Sequence, residues 1–163
     1  MHKEPLPPSA QRVADAAAAL GLTIDIVTFD QSTRTAEDAA AAIGCAVGQI
    51  VKSLLFTVGG APVIALVSGA NQLDTAKLAA LRGVGRKQVE RADADTVRAA
   101  TGYAIGGVPP FGYTQFLSIY VDEDLTTYEV IWAAAGTPNT VFAIVPADLL
   151  RVTGGQPVDL KKD

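Results

Sequence analysis

The segment from Ile50 to Val67 constrains the fold more than any other part of the chain. Ile50 to Val58 is an apolar, β-branched run interrupted at Lys52 and Ser53. Gly59-Gly60 then supplies the two-residue turn of a hairpin. Pro62 to Val67 returns as a second strand that is apolar throughout. A strand with no polar side is one covered on both faces, so this hairpin is expected at the centre of a sheet buried on both sides.

The flanking patterns add short helices and further strands. Ser9 is a candidate N-cap for a helix through Leu20, with Val13, Ala17 and Leu20 on one face and Gly21 at its end. Thr23 to Phe29 alternates as a strand does. Thr35-Ala36-Glu37-Asp38 has the form of a capping box, with a helix behind it that ends at Gly44. A short helix is expected over Leu73–Leu81, with Asp74 near its start, and another from the cap Asp93 to Ala100. Strands are expected at Arg86–Glu90, Phe116–Val121, Glu129–Ala134 and Thr140–Val145. Pro146 opens a last helix through Leu150. Residues 1–8 and the tail from Gln156 to Asp163 read as loose. Helices and hairpin-linked strands mix without regular βαβ alternation, which predicts an α+β domain around a mixed or mostly antiparallel sheet. The expected organisation is one domain over 1–163, with its core at about 9–154.

Composition narrows the chemistry. The chain has 163 residues, 13 Lys and Arg against 17 Asp and Glu, one Cys and one His. A lone Cys45 forms no internal disulfide. His2 stands at the terminus. With one His and one Cys, a His-based zinc site, a Ser-His-Asp triad and a Cys-His pair are nearly excluded, so neither a metal nor another cofactor is expected. The net charge of −4 does not announce a nucleic-acid binder; such a partner would be gripped by a local patch. The opening Met1-His2-Lys3-Glu4-Pro5-Leu6-Pro7-Pro8 has no apolar stretch of signal-peptide length. No apolar run approaches the roughly 18 residues of a membrane span, and the expected location is the cytoplasm.

Several segments could carry function. Lys52 enters the core on its strand, beside Ser53; it either holds an anion in a cleft or is a strand-end lysine whose stem snorkels to water. The loop Gly102–Tyr113 contains Gly106-Gly107, Pro109-Pro110 and Phe111. It could aim backbone groups at a reacting carbonyl, or simply connect. Ala135-Gly136-Thr137-Pro138-Asn139-Thr140 lies between two expected strands, and Thr137 and Asn139 could read a small substrate or form an ordinary turn. Asp122-Glu123-Asp124 could bind a cation or serve as a base, or be a solvated turn. Arg82, Arg86, Lys87 and Arg91 could form a phosphate patch or a solvated edge.

Taken together, these segments resemble the YbaK/ProX family of freestanding aminoacyl-tRNA deacylases, related to the editing domain of bacterial prolyl-tRNA synthetases. The resemblance spans about residues 9–154. It rests on Thr35–Ala40, Gln49–Leu54, Gln72-Leu73-Asp74 before Lys77-Leu78-Ala79, Thr101–Gly112, and Ala135-Gly136 followed by Pro146–Leu150. It implies a curved, barrel-like mixed sheet surrounded by short helices, with one substrate cleft. The family's key lysine falls on Lys52, its paired loop glycines on Gly106 and Gly107, and its pocket-wall glycine on Gly136. Phe29 falls where the cysteine-specific branch has a tyrosine facing the substrate. Thr35, Ser53, Pro110, Phe111, Thr137 and Asn139 complete the expected substrate-binding set.

The resemblance assigns neither well-known specificity. The cysteine-specific branch carries Ser-Gly-Gly-Lys-Arg-Gly followed by an acid; here the stretch is Ala134–Asn139, with Val141 at the acid's place. The alanine-specific branch has a histidine where Thr137 stands. The implied activity is hydrolysis of the ester of a mischarged small amino acid on tRNA, tRNA-Pro or a related one, with the substrate assisting its own cleavage. The implied partners are the acceptor end of an aminoacyl-tRNA and a synthetase. A catalytically silent tRNA- or synthetase-binding module of the same fold is the alternative; a hydrolase of a non-tRNA ester stands third.

Overall fold

A computed structural model describes residues 5–33 and 35–163; His2 lies outside them. In chain order the elements are helix α1 (Pro8–Ala19), strand β1 (Ile26–Thr28), α2 (Ala36–Ile43), β2 (Ile50–Val58), β3 (Ala61–Ser68), α3 (Thr75–Arg82), β4 (Val89–Arg91), α4 (Ala94–Thr101), β5 (Ser118–Asp122), β6 (Ile131–Ala134), β7 (Thr140–Ile144), α5 (Pro146–Thr153) and β8 (Gln156–Val158). The strands form one mixed sheet in the order β1-β7-β6-β2-β3-β5-β8, with β4 also pairing with β2. The family's mixed α/β architecture is thus present.

Local chemistry sets most of the ends. Thr35 accepts a hydrogen bond from the Asp38 amide, Asp74 from that of Ala76, and Asp93 from that of Thr96, so α2, α3 and α4 each begin on a side-chain cap. The β2–β3 hairpin turns at Gly59-Gly60 and buries both sides of β3, as its pattern predicts. Ile64 and Leu66 enter the main core, which also takes Val13 of α1, Val97 of α4, Leu149 of α5, Phe111 and Phe142. Val63, Ala65 and Val67 enter a second core with Leu78 of α3 and Leu160. Ala36, Ala39, Ala40 and Ile50 form a third beneath α2.

The structure departs from the sequence reading in several places. Helix α1 begins at Pro8, behind an N-cap Pro7 that makes no side-chain cap, so Ser9 lies inside the helix and does not cap it. The expected strand at Arg86–Glu90 begins as a 3-10 turn, Arg86–Gln88, before β4. The expected strand at 116–121 starts at Ser118, leaving Phe116 exposed. The tail from Gln156 is ordered: β8 pairs with β5 in parallel, Leu160 is fully buried, and the Lys162 amide donates to the Gln72 carbonyl at 2.9 Å. Three residues of strand and one buried leucine are too little pattern to read. The free edge of β5 supplies the partner.

The acidic cluster is absorbed into this framework. Asp122 is fully buried. It accepts hydrogen bonds from the Ser68 amide at 3.0 Å, Asn71 Nδ2 at 2.8 Å and the Asp124 amide at 3.0 Å. Asp124 takes Asn71 Nδ2 and Lys161 Nζ, each at 2.9 Å, and these hold its carboxyl below the usual range. The cluster thus ties β3 to β5 and to the C-terminal tail.

Candidate active site

The position of β2 in the sheet creates the cavity. On one edge β2 pairs with β6 only at Ile50 and Val51, in parallel, and with β4 only from Phe56 to Val58, antiparallel. Between them the sheet splits, and neither neighbour pairs with Lys52, Ser53 or Leu54. The Ala92 amide reaches the Leu55 carbonyl at 3.1 Å and closes the lower end of the gap. Residues alternate edges along a strand, and Ile50 and Lys52 point their backbone groups toward β3. The amide and carbonyl of Ser53 therefore face the split.

A cavity of about 400 Å³ opens there, within the usual range for small-molecule sites. Its apolar part is lined by Val51, Leu55, Val97, Val108, Ala133 and Val141. Its polar part carries Lys52, Ser53, Thr33, Thr35, Glu37 and Arg91. Gly106 lines it with φ +92°, a left-handed backbone that suits glycine. Lys52 and the first glycine of the paired loop therefore line one open cavity.

Lys52 is half-buried, and its ammonium donates to the Asn71 carbonyl. Burial pushes its pKa below that of an ordinary lysine; Glu37 and Asp122 oppose the shift and Arg91 adds to it. Ser53 Oγ is buried and has no hydrogen-bond partner among the described residues. An unpaired buried hydroxyl costs about 1–3 kcal/mol.

Several residues expected to contact substrate hold the wall instead. Gly107, Gly136, Thr137, Asn139, Phe29, Pro110 and Phe111 do not line the cavity. Gly107 packs back to back on the β6–β7 connection: its carbonyl accepts from the Gly136 amide at 2.9 Å, and a Cβ on it would stand 2.8 Å from the Gly136 backbone. A Cβ on Gly136 would meet the Ser9 carbonyl oxygen at 2.5 Å. These two glycines let the loop, the connection and the start of α1 approach one another. Pro110 and Phe111 are buried, with Phe111 tilted on Phe142 at 5.6 Å between ring centroids.

Asn139 brackets Phe29: its Nδ2 donates to the Phe29 carbonyl at 2.8 Å, and its own carbonyl accepts the Phe29 amide at 2.9 Å. Thr137 Oγ1 is engaged by Thr140 Oγ1 at 2.6 Å. The Pro138 carbonyl accepts the Thr33 amide at 2.6 Å and its hydroxyl at 3.0 Å. The 136–140 connection thus positions the arm that carries Thr33 and Thr35 to the cavity.

The sequence reading missed Glu37, Arg91, Trp132 and Ile105 as cavity residues. Glu37 was visible only as part of a cap and Arg91 only as part of a basic group. Trp132 carried no motif at all. No group of three or more His, Cys, Asp or Glu that could hold a metal occurs among the described residues. Cys45 is half-buried, its thiol pushed up by burial, and it lies off the cavity lining. No helix among the described residues is long and apolar enough to cross a membrane.

Comparison with known proteins identifies the family and the fold. The profile of the aminoacyl-tRNA editing domain matches residues 30–152. The chain is 35% identical over 124 residues to an Enterococcus faecalis protein named for a proposed Cys-tRNA(Pro)/Cys-tRNA(Cys) deacylase activity, covering 75% of this chain and 74% of that one. It is 38% identical over 100 residues to the proline–tRNA ligase of Maridesulfovibrio salexigens, covering 61% of this chain and 17% of the ligase. A crystal structure described as that of a proposed trans-editing enzyme for prolyl tRNA synthetase superposes with a TM-score of 0.92 at 46% identity, over 98% of this chain and all of that one.

Proposed function

Because the chain belongs to the aminoacyl-tRNA editing domain family, whose members act as ester hydrolases, we propose that it removes a mischarged small amino acid from tRNA in trans. The tRNA is tRNA-Pro or a related one. The observation that carries this reading is that Lys52 and Gly106 line the same open cavity.

The lining suits an aminoacyl ester in its parts. The apolar lining of Val51, Val97, Val108, Ala133 and Val141 suits a short aliphatic side chain. Such a second sieve is useful because one methylene is discriminated by only about 1–3 kcal/mol in a synthetase pocket. Glu37 offers a carboxylate to the substrate's ammonium group. Ser53, through its amide, carbonyl and free hydroxyl, offers hydrogen bonds to the ribose or the ester. Lys52 holds the terminal phosphate or polarises the acyl group, and Gly106 orients the reacting carbonyl through its backbone.

Among the described residues, no imidazole lines this cavity. Catalysis then comes from positioning and electrostatics, with the neighbouring ribose hydroxyl and amino group of the substrate assisting its own cleavage. Deacylation of tRNA charged with Ala, Cys, Ser or Thr tests the reading, with Lys52→Ala as the comparison. Cleavage of at least one of these, lost in Lys52→Ala, is expected. Binding of tRNA with no cleavage across the panel would show a silent module instead, and full activity in Lys52→Ala would remove the role of the ammonium.

A further inference from the structure

Resting on the deacylase reading above, we propose that Arg91 and Arg86 continue from Lys52 as a phosphate-binding track that carries the 3′ end of the tRNA out of the cavity over β4. Cations are the minority charge in this chain, at 13 against 17, so where they remain unpaired is informative. Lys77, Arg151 and Lys161 are tied to carboxylates. Among the described residues, no carboxylate pairs with Arg82, Arg86, Lys87 or Arg91.

The fold divides that group of four. Arg91 stands opposite Phe56 in the β2–β4 register, and its guanidinium lies 5.9 Å from the Phe56 ring centroid. Lys52 is four residues before Phe56 on β2, so both side chains rise from the same face of the sheet. Arg91 also lines the cavity, and its charge reaches Lys52 strongly enough to lower the lysine's pKa. Arg86 reaches back to the start of α3, where its Nε donates to Thr75 Oγ1 at 3.2 Å. Thr75 is four residues beyond Asn71, the residue whose carbonyl holds the Lys52 ammonium. One of the five guanidinium donors of Arg86 is thus used, and the other four remain for an anion. Exposed Lys87 stands beside it. Arg82 instead leans toward Ser118 on β5, 3.4 Å away and two strands removed from β2.

The distribution of acids gives the track a direction. Glu37 lies on the cavity lining contributed by α2 and repels a phosphodiester there. Glu90 alternates to the opposite face of β4 from Arg91. Asp93 is held by the Thr96 amide as the cap of α4, with exposed Asp95 in the first turn of that helix. A tRNA whose terminal ester sits in the cavity must bring its last phosphodiesters across the rim. The rim over β4 is the side where guanidinium forks, suited to phosphate geometry, meet them.

The test uses the full chain and an uncharged acceptor-stem minihelix ending in CCA, with binding followed against salt concentration. Arg86→Gln and Arg91→Gln are each expected to reduce the slope of log K against log salt by about 0.7, the value for one lost single-strand phosphate contact. Arg82→Gln is expected to leave it unchanged. For deacylation, Arg86→Gln is expected to lower the ratio of kcat/KM on aminoacyl-tRNA to that on aminoacyl-adenosine, which lacks the phosphodiesters. Wild-type slopes in both Arg86 and Arg91 variants overturn the track. So does an equal slope loss in Arg82→Gln, or an unchanged ratio between the two substrates. A protein that shows the expected slopes but cleaves no aminoacyl-tRNA keeps the track and loses the deacylase reading.

Discussion

Gly136 offers a quantitative test of whether the wall behind the loop is a junction or a specificity surface. Its backbone sits at φ +97°, and a methyl group there would stand 2.5 Å from the Ser9 carbonyl oxygen and 2.7 Å from the Ser9 carbonyl carbon. Both are main-chain atoms at the start of α1, so no side chain can swing aside. Two effects add in Gly136→Ala. Holding an L-residue in the left-handed region costs roughly 1–2 kcal/mol. Forcing a methyl into packed surroundings costs about 1–3 kcal/mol more. Gly154→Ala isolates the first effect, because Gly154 also has positive φ, +63°, with nothing within 4 Å of the added carbon. In urea, at a slope of about 2 kcal/mol per M, Gly136→Ala is expected to unfold about 1 M below Gly154→Ala. Its order of preference among aminoacyl-tRNAs should be kept. Equal midpoints for the two variants, together with a changed order of preference in Gly136→Ala, would refute the junction and return Gly136 to the pocket wall.

Two further outcomes follow from the electrostatics. Burial sets the Lys52 ammonium below an ordinary lysine, so deacylation that needs the charge should fall on an alkaline limb lying below that of an exposed lysine, and Lys52→Arg should move that limb upward. In the interval between the lowered folded value and the unfolded one, the unfolded chain binds more protons, so stability should rise with pH there, a gain absent in Lys52→Ala; chemical denaturation across that interval checks the sign. Asp122→Ala leaves the Ser68 amide and Asn71 Nδ2 without their shared acceptor. It should destabilise by about 1–3 kcal/mol or more in thermal unfolding, and a loss below about 0.5 kcal/mol would mean water replaces the carboxylate at little cost.

The local elements were legible because short-range chemistry writes them. Thr35, Asp74 and Asp93 announce helix starts by their capping oxygens, Gly59-Gly60 announces a hairpin, and the unbroken apolar run of β3 announces burial on both faces. Lys52 stood out for the same reason, as a charge entering a strand. The family likeness pointed to Lys52 and Gly106, and both line the cavity.

Tertiary structure alone decided the remainder. That β6 leaves β2 after Val51 and β4 joins it only at Phe56 is a matter of long-range pairing, and no residue between them records it in the sequence. Gly107 and Gly136 look alike as loop glycines; only the approach of α1 and the β6–β7 connection makes them contacts between backbones. Arg91 joins the cavity and Arg82 leaves it although nine positions separate them, because β4 and α3 carry them to different strands. Patterns within a few residues report the torsions and faces of one element. Which edges meet depends on surfaces far apart in the chain, and the cavity is made of those meetings.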